Sequence, residues 1–273
     1  MTNEHASNIA IIVQSVTLNY IAIPAPATMP AHYLARLTST TRTSRANLHL
    51  GVALASIAGA LNAGGFLAVG EYTSHMTGII SAAADNLILG KFIPAIAAVL
   101  MLIAFVSGSA CTAIMVNYAK QHIYTPVLLL EAVLLLVFGL IGSTLQTHAV
   151  MTVSFTAVLL CYVMGLQNAL ITKISNAEIR TTHVTGLVTD IGIELGKLIY
   201  LFREKGQIRE AEVASNYYKL RLHSMLVCAF FSGGVIGAAG FKYVGFISTL
   251  PLALALLTLS LAPRFTSKFT SRI

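Results

Sequence analysis

Gly59-Ala60-Leu61-Asn62-Ala63, with Ser74-His75-Met76-Thr77-Gly78 placed so that His75 follows Asn62 by 13 residues, decides the reading of this chain because it occurs twice. The second copy is Gly165-Leu166-Gln167-Asn168-Ala169 with Thr182-His183-Val184-Thr185-Gly186, where His183 follows Asn168 by 15 residues. In each, a hydroxyl residue, His, an apolar residue, Thr and Gly form a polar island between apolar runs. Self-similarity at a long offset is the signature of a duplicated architecture.

Outside the islands the chain is oily. Of 273 residues, 56% are hydrophobic and 10% charged, and several uncharged stretches reach or exceed twenty residues. A helix rises about 1.5 Å per residue and the hydrocarbon core is roughly 30 Å thick, so each stretch can cross a bilayer. The fold class is therefore all-α, a polytopic helical membrane protein whose constant partner is the lipid bilayer. The net charge of +7 does not indicate nucleic acid, because the basic residues lie between apolar runs without an aromatic-interleaved basic face. Cys111, Cys161 and Cys228 sit in apolar segments without metal-ligand spacing and read as small buried hydrophobes.

Residues 1–48 read as a weakly structured cytoplasmic extension. Ile9 to Ile23 is apolar, but Pro24, Pro26 and Pro30 follow at once and the basic start of a secretory signal is lacking. Ala25 and Ala27 imitate a cleavage site and Met29 offers a second start, which leaves open whether 1–28 belong to the mature protein. The first membrane repeat covers 49–146: span a (Leu50–Val69), a short segment b (Met76–Gly90) with Asp85, span c (Phe92–Tyr118), and span d from Pro126 to Gln146, with Glu131 expected at the interface. The second covers 147–263: a′ (Ala149–Ile171), b′ (Val184–Phe202) with Asp190, Glu194 and Lys197, a solvated charged loop Arg203–Arg221, c′ (Leu222–Phe241) and d′ (Val244–Ala262). Residues 264–273 form a cytoplasmic tail. Phe105-Val106-Ser107-Gly108 matches Phe230-Phe231-Ser232-Gly233 at an offset of 125, as Pro126 matches Pro251, while the islands match at 106 and then 108 residues.

Whether b and b′ cross decides the symmetry. With neither crossing, each half has three spans and the halves are inverted; with both crossing, eight spans make two parallel halves. Six spans and a cytoplasmic start place fifteen of the 17 Lys and Arg residues inside, leaving Lys91 and Lys242 outside, whereas eight spans place thirteen inside. Segment b is short, and Asp85, Asp190 and Glu194 would each cost about 3 kcal/mol at the centre of a lipid-exposed helix. Six spans plus two short or re-entrant segments, with both termini cytoplasmic, is the favoured arrangement.

The islands define the candidate site. Ser74 or Thr77, and Thr182 or Thr185, are placed to cap the helix that follows, and Gly78 and Gly186 permit close backbone approach. A capped helix start in the membrane attracts an anion. His75 and His183 can donate, accept or titrate. Asn62 and Asn168 add amide groups, and Asp85, Asp190 and Glu194 are candidates for carrying a proton or ion. The substrate-binding set is thus Asn62, His75, Thr77, Gly78, Asn168, His183, Thr185 and Gly186, expected to converge between His75 and His183. Against this, Asn and His in membrane bundles also serve simply to bond across helices, and Gly233 with Gly237 forms a GxxxG that reads as a helix contact. No triad spacing or HExxH occurs, so neither an enzyme, a metal site nor another cofactor is expected.

The islands in this order, Gly59 to Gly90 with Asn62 and Ser74-His75-Met76-Thr77-Gly78, and Gly165 to Gly196 with Asn168 and Thr182-His183-Val184-Thr185-Gly186, resemble the YoaK-like family of bacterial inner-membrane proteins, a domain of unknown function. The resemblance covers about 45–262 and implies a multi-span bacterial inner-membrane location, with no activity, substrate or cofactor to carry over. From duplicated halves and paired broken segments, the expected function is a secondary transporter or channel for a small polar or anionic solute. A non-transporting scaffold or sensor is the alternative. Oligomeric state is not legible.

Overall fold

The computed structural model describes residues 44–119, 124–144, 149–175, 179, 181–203 and 210–270. Among the described residues there are eight α-helices and no strand: α1 Ser44–Val69, α2 Met76–Ile88, α3 Phe92–Tyr118, α4 Thr125–Thr144, α5 Ala149–Ile174, α6 Val184–Arg203, α7 Glu210–Tyr243 and α8 Thr249–Thr270, with a 3-10 turn Gly245–Ser248 before α8. Of the weakly structured extension expected over 1–48, residues 1–43 fall outside the described residues, as do 120–123, 145–148 and 204–209, whereas 44–48 are already helical and open α1.

Among the described residues, five stretches are long and apolar enough to cross a membrane: Leu48–Val69, Phe92–Tyr118, Thr125–Gly142, Phe155–Lys173 and Glu212–Tyr243. The run expected as the sixth, d′, is the shorter apolar stretch Gly245–Leu261, and its helix continues to Thr270. Helix α2 has 13 residues, about 20 Å, too short to span. Helix α6 has 20, long enough by length; it carries Asp190, Glu194, Lys197 and Arg203, and that charge sets it apart from the spans. One expectation is corrected. The charged run to Arg221 is not a loop throughout, because α7 begins at Glu210 and continues unbroken for 34 residues. Residues 210–221 contain no Gly or Pro and are rich in Glu, Ala, Lys, Leu and Arg, all good helix formers, so mixed charge extends the helix rather than ending it.

The described chain divides into two compact units. The smaller contains His183–Val227, hence α6 and the first part of α7; among its described residues Leu187, Glu194, Val213, Asn216, Leu222 and Leu226 are buried. The larger contains α1 to α5, the rest of α7 from Cys228, the 3-10 turn and α8. Its core gathers Met101, Phe138, Leu160, Cys161 and Phe241. Phe138, Phe241 and Phe246 form an aromatic cluster with centroids 5.6–6.0 Å apart, joining α4, α7 and the 3-10 turn. Helix α3 buries the small or slender residues Ala95, Ala98, Met101, Ala104, Gly108 and Thr112. It exposes Ile93, Ile96, Val99, Leu100, Ile103 and Val106. Small residues inward and bulky apolar residues outward is the pattern of a helix that packs closely on one side and meets lipid on the other. Cys161 is buried as expected and Cys111 half-buried, but Cys228 is exposed, on the outward side of its helix.

Glycines set the helix crossings of the larger unit. A Cβ on Gly59 would strike the carbonyl oxygen of Phe230, and one on Gly165 the carbonyl oxygen of Phe105. Gly233 presses in the same way on Ser56, and Gly108 on Tyr162. Gly237 lies on Ala60, and at the matching place Thr112 Oγ1 donates to the Leu166 carbonyl at 2.9 Å. The GxxxG reading of Gly233 and Gly237 as a helix contact therefore holds. Contact pairs also give helix directions. Ser56, Ala60 and Gly64 meet Gly233, Gly237 and Phe241 in rising order, so α1 and α7 run parallel there. Gln167 Nε2 donates to the Leu54 carbonyl at 3.2 Å while Gly65 meets Leu160, so α1 and α5 run antiparallel. Helices α4 and α8 are antiparallel too. Thr125 Oγ1 donates to the Ser260 carbonyl at 3.1 Å, Ser260 Oγ donates to the Thr125 carbonyl at 3.0 Å, and Gly139 meets Thr249 at the other end.

Candidate functional site

The first island begins where α1 stops. Gly70 adopts φ +77°, a left-handed conformation that glycine takes without steric penalty, and its N–H donates to the Phe66 carbonyl at 2.8 Å. Phe66 and Tyr72 stack at 4.3 Å across this turn. The chain is then tied back to α1 by Asn62, whose Oδ1 accepts from both the backbone N–H of Ser74 (3.2 Å) and its Oγ (2.8 Å). The capping expectation is corrected here. The residue at the N-cap of α2 is His75, with φ −94°, ψ 69° and no side-chain cap hydrogen bond, and the Ser74 hydroxyl is engaged by Asn62 instead. The His75 ring folds back over the first turn of α2. A Cβ on Gly78 would collide with His75 Cδ2 and come within 2.7 Å of Nε2. The close approach anticipated for this glycine is thus with the imidazole of its own motif. His75 and Thr77 are exposed, Asn62 and Gly78 half-buried.

The second island repeats the device with different hydroxyls. Asn168 Oδ1 accepts from Thr181 Oγ1 at 3.5 Å, and Ser175 Oγ bridges the turn by donating to the Ile171 and Ile179 carbonyls and accepting from the Ile179 N–H at 2.9 Å. A Cβ on Gly186 would collide with His183 Nδ1 and Cε1. At both islands the ring is folded onto the glycine three residues on, with the two edges of the imidazole exchanged. His183 and Thr185 are exposed. Asn62, His75, Thr77, Gly78, Asp85 and Asn168 belong to the larger unit; His183, Thr185, Gly186, Asp190 and Glu194 belong to the smaller.

The carboxylates are unlike one another. Asp85 and Asp190 are exposed. Glu194 is buried, and its Oε1 accepts from Lys197 Nζ at 3.1 Å while Oε2 has no hydrogen-bond partner. The residue that sequence reasoning misplaced is Glu131. Expected at the interface, it is instead fully buried in α4, and neither carboxylate oxygen has a hydrogen-bond partner. Its burial follows from the stripe Leu128, Glu131, Ala132, Leu135 and Phe138, which turns inward at helical spacing. In a span whose other faces are also apolar, no periodicity marks that stripe. The available signal was a lone carboxylate about 9 Å along an otherwise uncharged span. Among the described residues, no three His, Cys, Asp or Glu side chains are grouped to hold a metal.

The ties between Asn62 and the island are testable. Asn62→Ala removes the acceptor of two hydrogen bonds, with an expected local loss of about 1–3 kcal/mol. Hydrogen exchange of the amides from Tyr72 to Met76 should quicken by ten- to a hundredfold, while α3 amides stay protected. Unchanged exchange would remove Asn62 as the tether.

Helices this long and apolar, with small residues inward and bulky ones outward, make the chain a polytopic helical membrane protein. It belongs to the DUF1275 family, described as a protein of unknown function, whose model matches residues 50–262 and so spans both islands. No curated protein and no solved structure matches it.

Proposed function

We propose that this protein is a secondary transporter or channel for a small polar or anionic solute, built from two inverted halves in a cell's plasma membrane, and that it is not an enzyme. The observation that carries this reading is the matched set of helix crossings. Gly59 on Phe230 and Gly165 on Phe105 correspond at offsets of 106 and 125, as do Ser56 with Gly233 and Tyr162 with Gly108. Each first segment thereby packs on the third segment of the other half, α1 on α7 and α5 on α3. The first spans, α1 and α5, are antiparallel to each other, as are the fourth segments, α4 and α8. Parallel halves would require both pairs to run parallel, so the directions favour six spans over eight. Inverted halves with short polar helix starts are the recurring architecture of solute carriers. In this reading each island offers the solute a contact of its own, the folded-back imidazole of His75 with Thr77 at one helix start and that of His183 with Thr185 at the other. Asp85, Asp190 and Glu194 assist with a proton or ion.

Single-cysteine labelling tests the topology. A cysteine near Lys91 should label from outside the cell and one near Lys120 only from inside; the reverse pattern would support eight spans. Function is tested by incubating proteoliposomes with a small-molecule cell extract and profiling what they accumulate. Wild-type protein should enrich at least one polar or anionic compound over empty liposomes, and none under any ion gradient would defeat the proposal. A scaffold role gains its support from the helical extension Glu210–Arg221, whose exposed Glu212, Ser215 and Lys219 offer a partner surface. Charge reversal at Glu212 and Lys219 should leave uptake unaltered if the protein is a transporter.

A further inference from the structure

The α4–α8 pair contains a feature that packing does not require. Glu131 is fully buried in α4, both of its carboxylate oxygens lack a hydrogen-bond partner, and it lies in an apolar stripe between Leu128 and Leu135. At the offset of 125 that aligns Pro126 with Pro251, the corresponding residue of α8 is Leu256, which is also fully buried. An apolar side chain thus serves at the equivalent position, and a carboxyl group there is an addition to the architecture. It is an asymmetric one, present on one side of the helix pair only.

Its surroundings offer little to hold a negative charge. Helix α4 packs against α8, α5, α3, the 3-10 turn and, through Phe138 on Phe241, the end of α7. Among the described side chains, the 3-10 turn and α8 as far as Leu261 carry no titratable group. Those on α5 are Cys161, Tyr162 and Lys173; those on α3 are Cys111 and Tyr118; those on the part of α7 in the same unit are Cys228, Lys242 and Tyr243; and Tyr124 stands at the head of α4 itself. None of them donates a hydrogen bond to Glu131. An ionised carboxylate without donors in a membrane interior is costly, and such residues are rare unless they pair, or bind and release an ion.

We propose that Glu131 is a proton-carrying site: it is the neutral carboxylic acid in this packing and ionises only when the α4–α8 contact opens to water. The two helices are held at one end by the reciprocal Thr125–Ser260 hydrogen bonds and at the other by Gly139 on Thr249, so parting either end would admit water toward Glu131. The inference rests on the transporter reading for what the proton is coupled to, making it the coupling ion, but the protonation itself stands independently.

Infrared difference spectroscopy of the full chain in phosphatidylcholine–phosphatidylglycerol liposomes tests it, with the bathing solution stepped from mildly acidic to alkaline and from H2O to D2O. The expected result is a protonated-carboxyl C=O band in wild-type protein at neutral pH that shifts in D2O, bleaches reversibly in alkali, and is absent from both Glu131→Gln and Glu131→Leu. Glu131→Leu should keep or exceed the wild-type Tm, because an apolar side chain of similar size replaces a buried polar group without a hydrogen-bond partner, and Glu131→Gln should stay close to it, one neutral polar group replacing another. A missing band, or one that persists in Glu131→Gln, would overturn the assignment. A band indifferent to alkali and D2O would show a structural acid sealed from water and would overturn the carrier role. The two readings fail separately. Liposomes that accumulate nothing while the band titrates would defeat transport and leave the proton site standing; solute uptake that is equally proton-driven in Glu131→Gln would defeat the site and leave transport standing.

Discussion

Gly59→Val and Gly165→Val are expected to be irrecoverable as folded protein, and the corresponding Ala variants to unfold at clearly lower temperature than wild type. Even an alanine Cβ at these positions would overlap a carbonyl oxygen of the facing helix, Phe230 for Gly59 and Phe105 for Gly165. Backbone on a packed helix cannot swing aside as a side-chain tip can, so the helices must part. Parting them also withdraws the neighbouring crossings, Ser56 on Gly233 and Tyr162 on Gly108. Overpacking costs about 1–3 kcal/mol for small additions and sometimes more. A β-branched side chain at a backbone contact exceeds that range, against a total stability of roughly 5–15 kcal/mol for a typical domain. Thermal unfolding in detergent and the monodisperse yield measure the effect. Gly192→Ala and Gly196→Ala are the controls. Nothing lies within 4 Å of a Cβ at either, and both sit inside α6, so their stability should be unchanged or higher by up to about 1 kcal/mol. A wild-type Tm for Gly59→Val would mean that α1 and α7 do not meet there.

Gly78→Ala and Gly186→Ala should do the opposite, sparing the fold and harming function. What the new methyl meets is the imidazole of His75 or His183, a side chain that can rotate away. Loss of stability should therefore stay within about 0.5 kcal/mol, the range of substitutions that touch no packed core. The ring, however, can no longer lie across the first turn of the helix. If that placement serves solute contact, uptake by proteoliposomes should fall about tenfold or more, the change that about 1.4 kcal/mol produces, and should match the loss in His75→Ala or His183→Ala. Normal uptake in both glycine variants, with uptake lost in the histidine variants, would show that the imidazole acts from another position. Normal uptake in all four would remove the islands from the solute path.

How much of this was legible before folding depends on the kind of signal. Membrane spans announce themselves by length and apolarity alone, since no water is available to satisfy a broken backbone. The boundaries read for α2, α3 and α5 accordingly agree with the helices to within a few residues. The islands were equally visible, because a polar motif repeated between apolar runs stands out from its background. Their internal geometry was not. Ser74 and Thr77 look like caps by type and position, and only the folded chain shows Asn62 reaching 12 residues along to hold Ser74, with His75 left at the helix start. The charged run into α7 misled for a related reason: charge argues for water, and a solvated helix satisfies it as well as a loop does.

Hydropathy and local sequence pattern are properties of the chain, and they were enough to read a multi-span helical membrane protein in which a His–Thr–Gly motif occurs twice. Tertiary structure alone decided which faces meet. In spans that are apolar on every side, no pattern separates lipid-facing from helix-facing residues, so the burial of Glu131 could not be read from its neighbours. Nor could the reason for the paired glycines be read, since Gly59 and Gly165 matter through carbonyls of Phe230 and Phe105 far along the chain. Even Gly78 and Gly186, only three residues from their histidines, reveal their purpose once the helix brings residues three apart onto one face and lays the ring where a Cβ would stand.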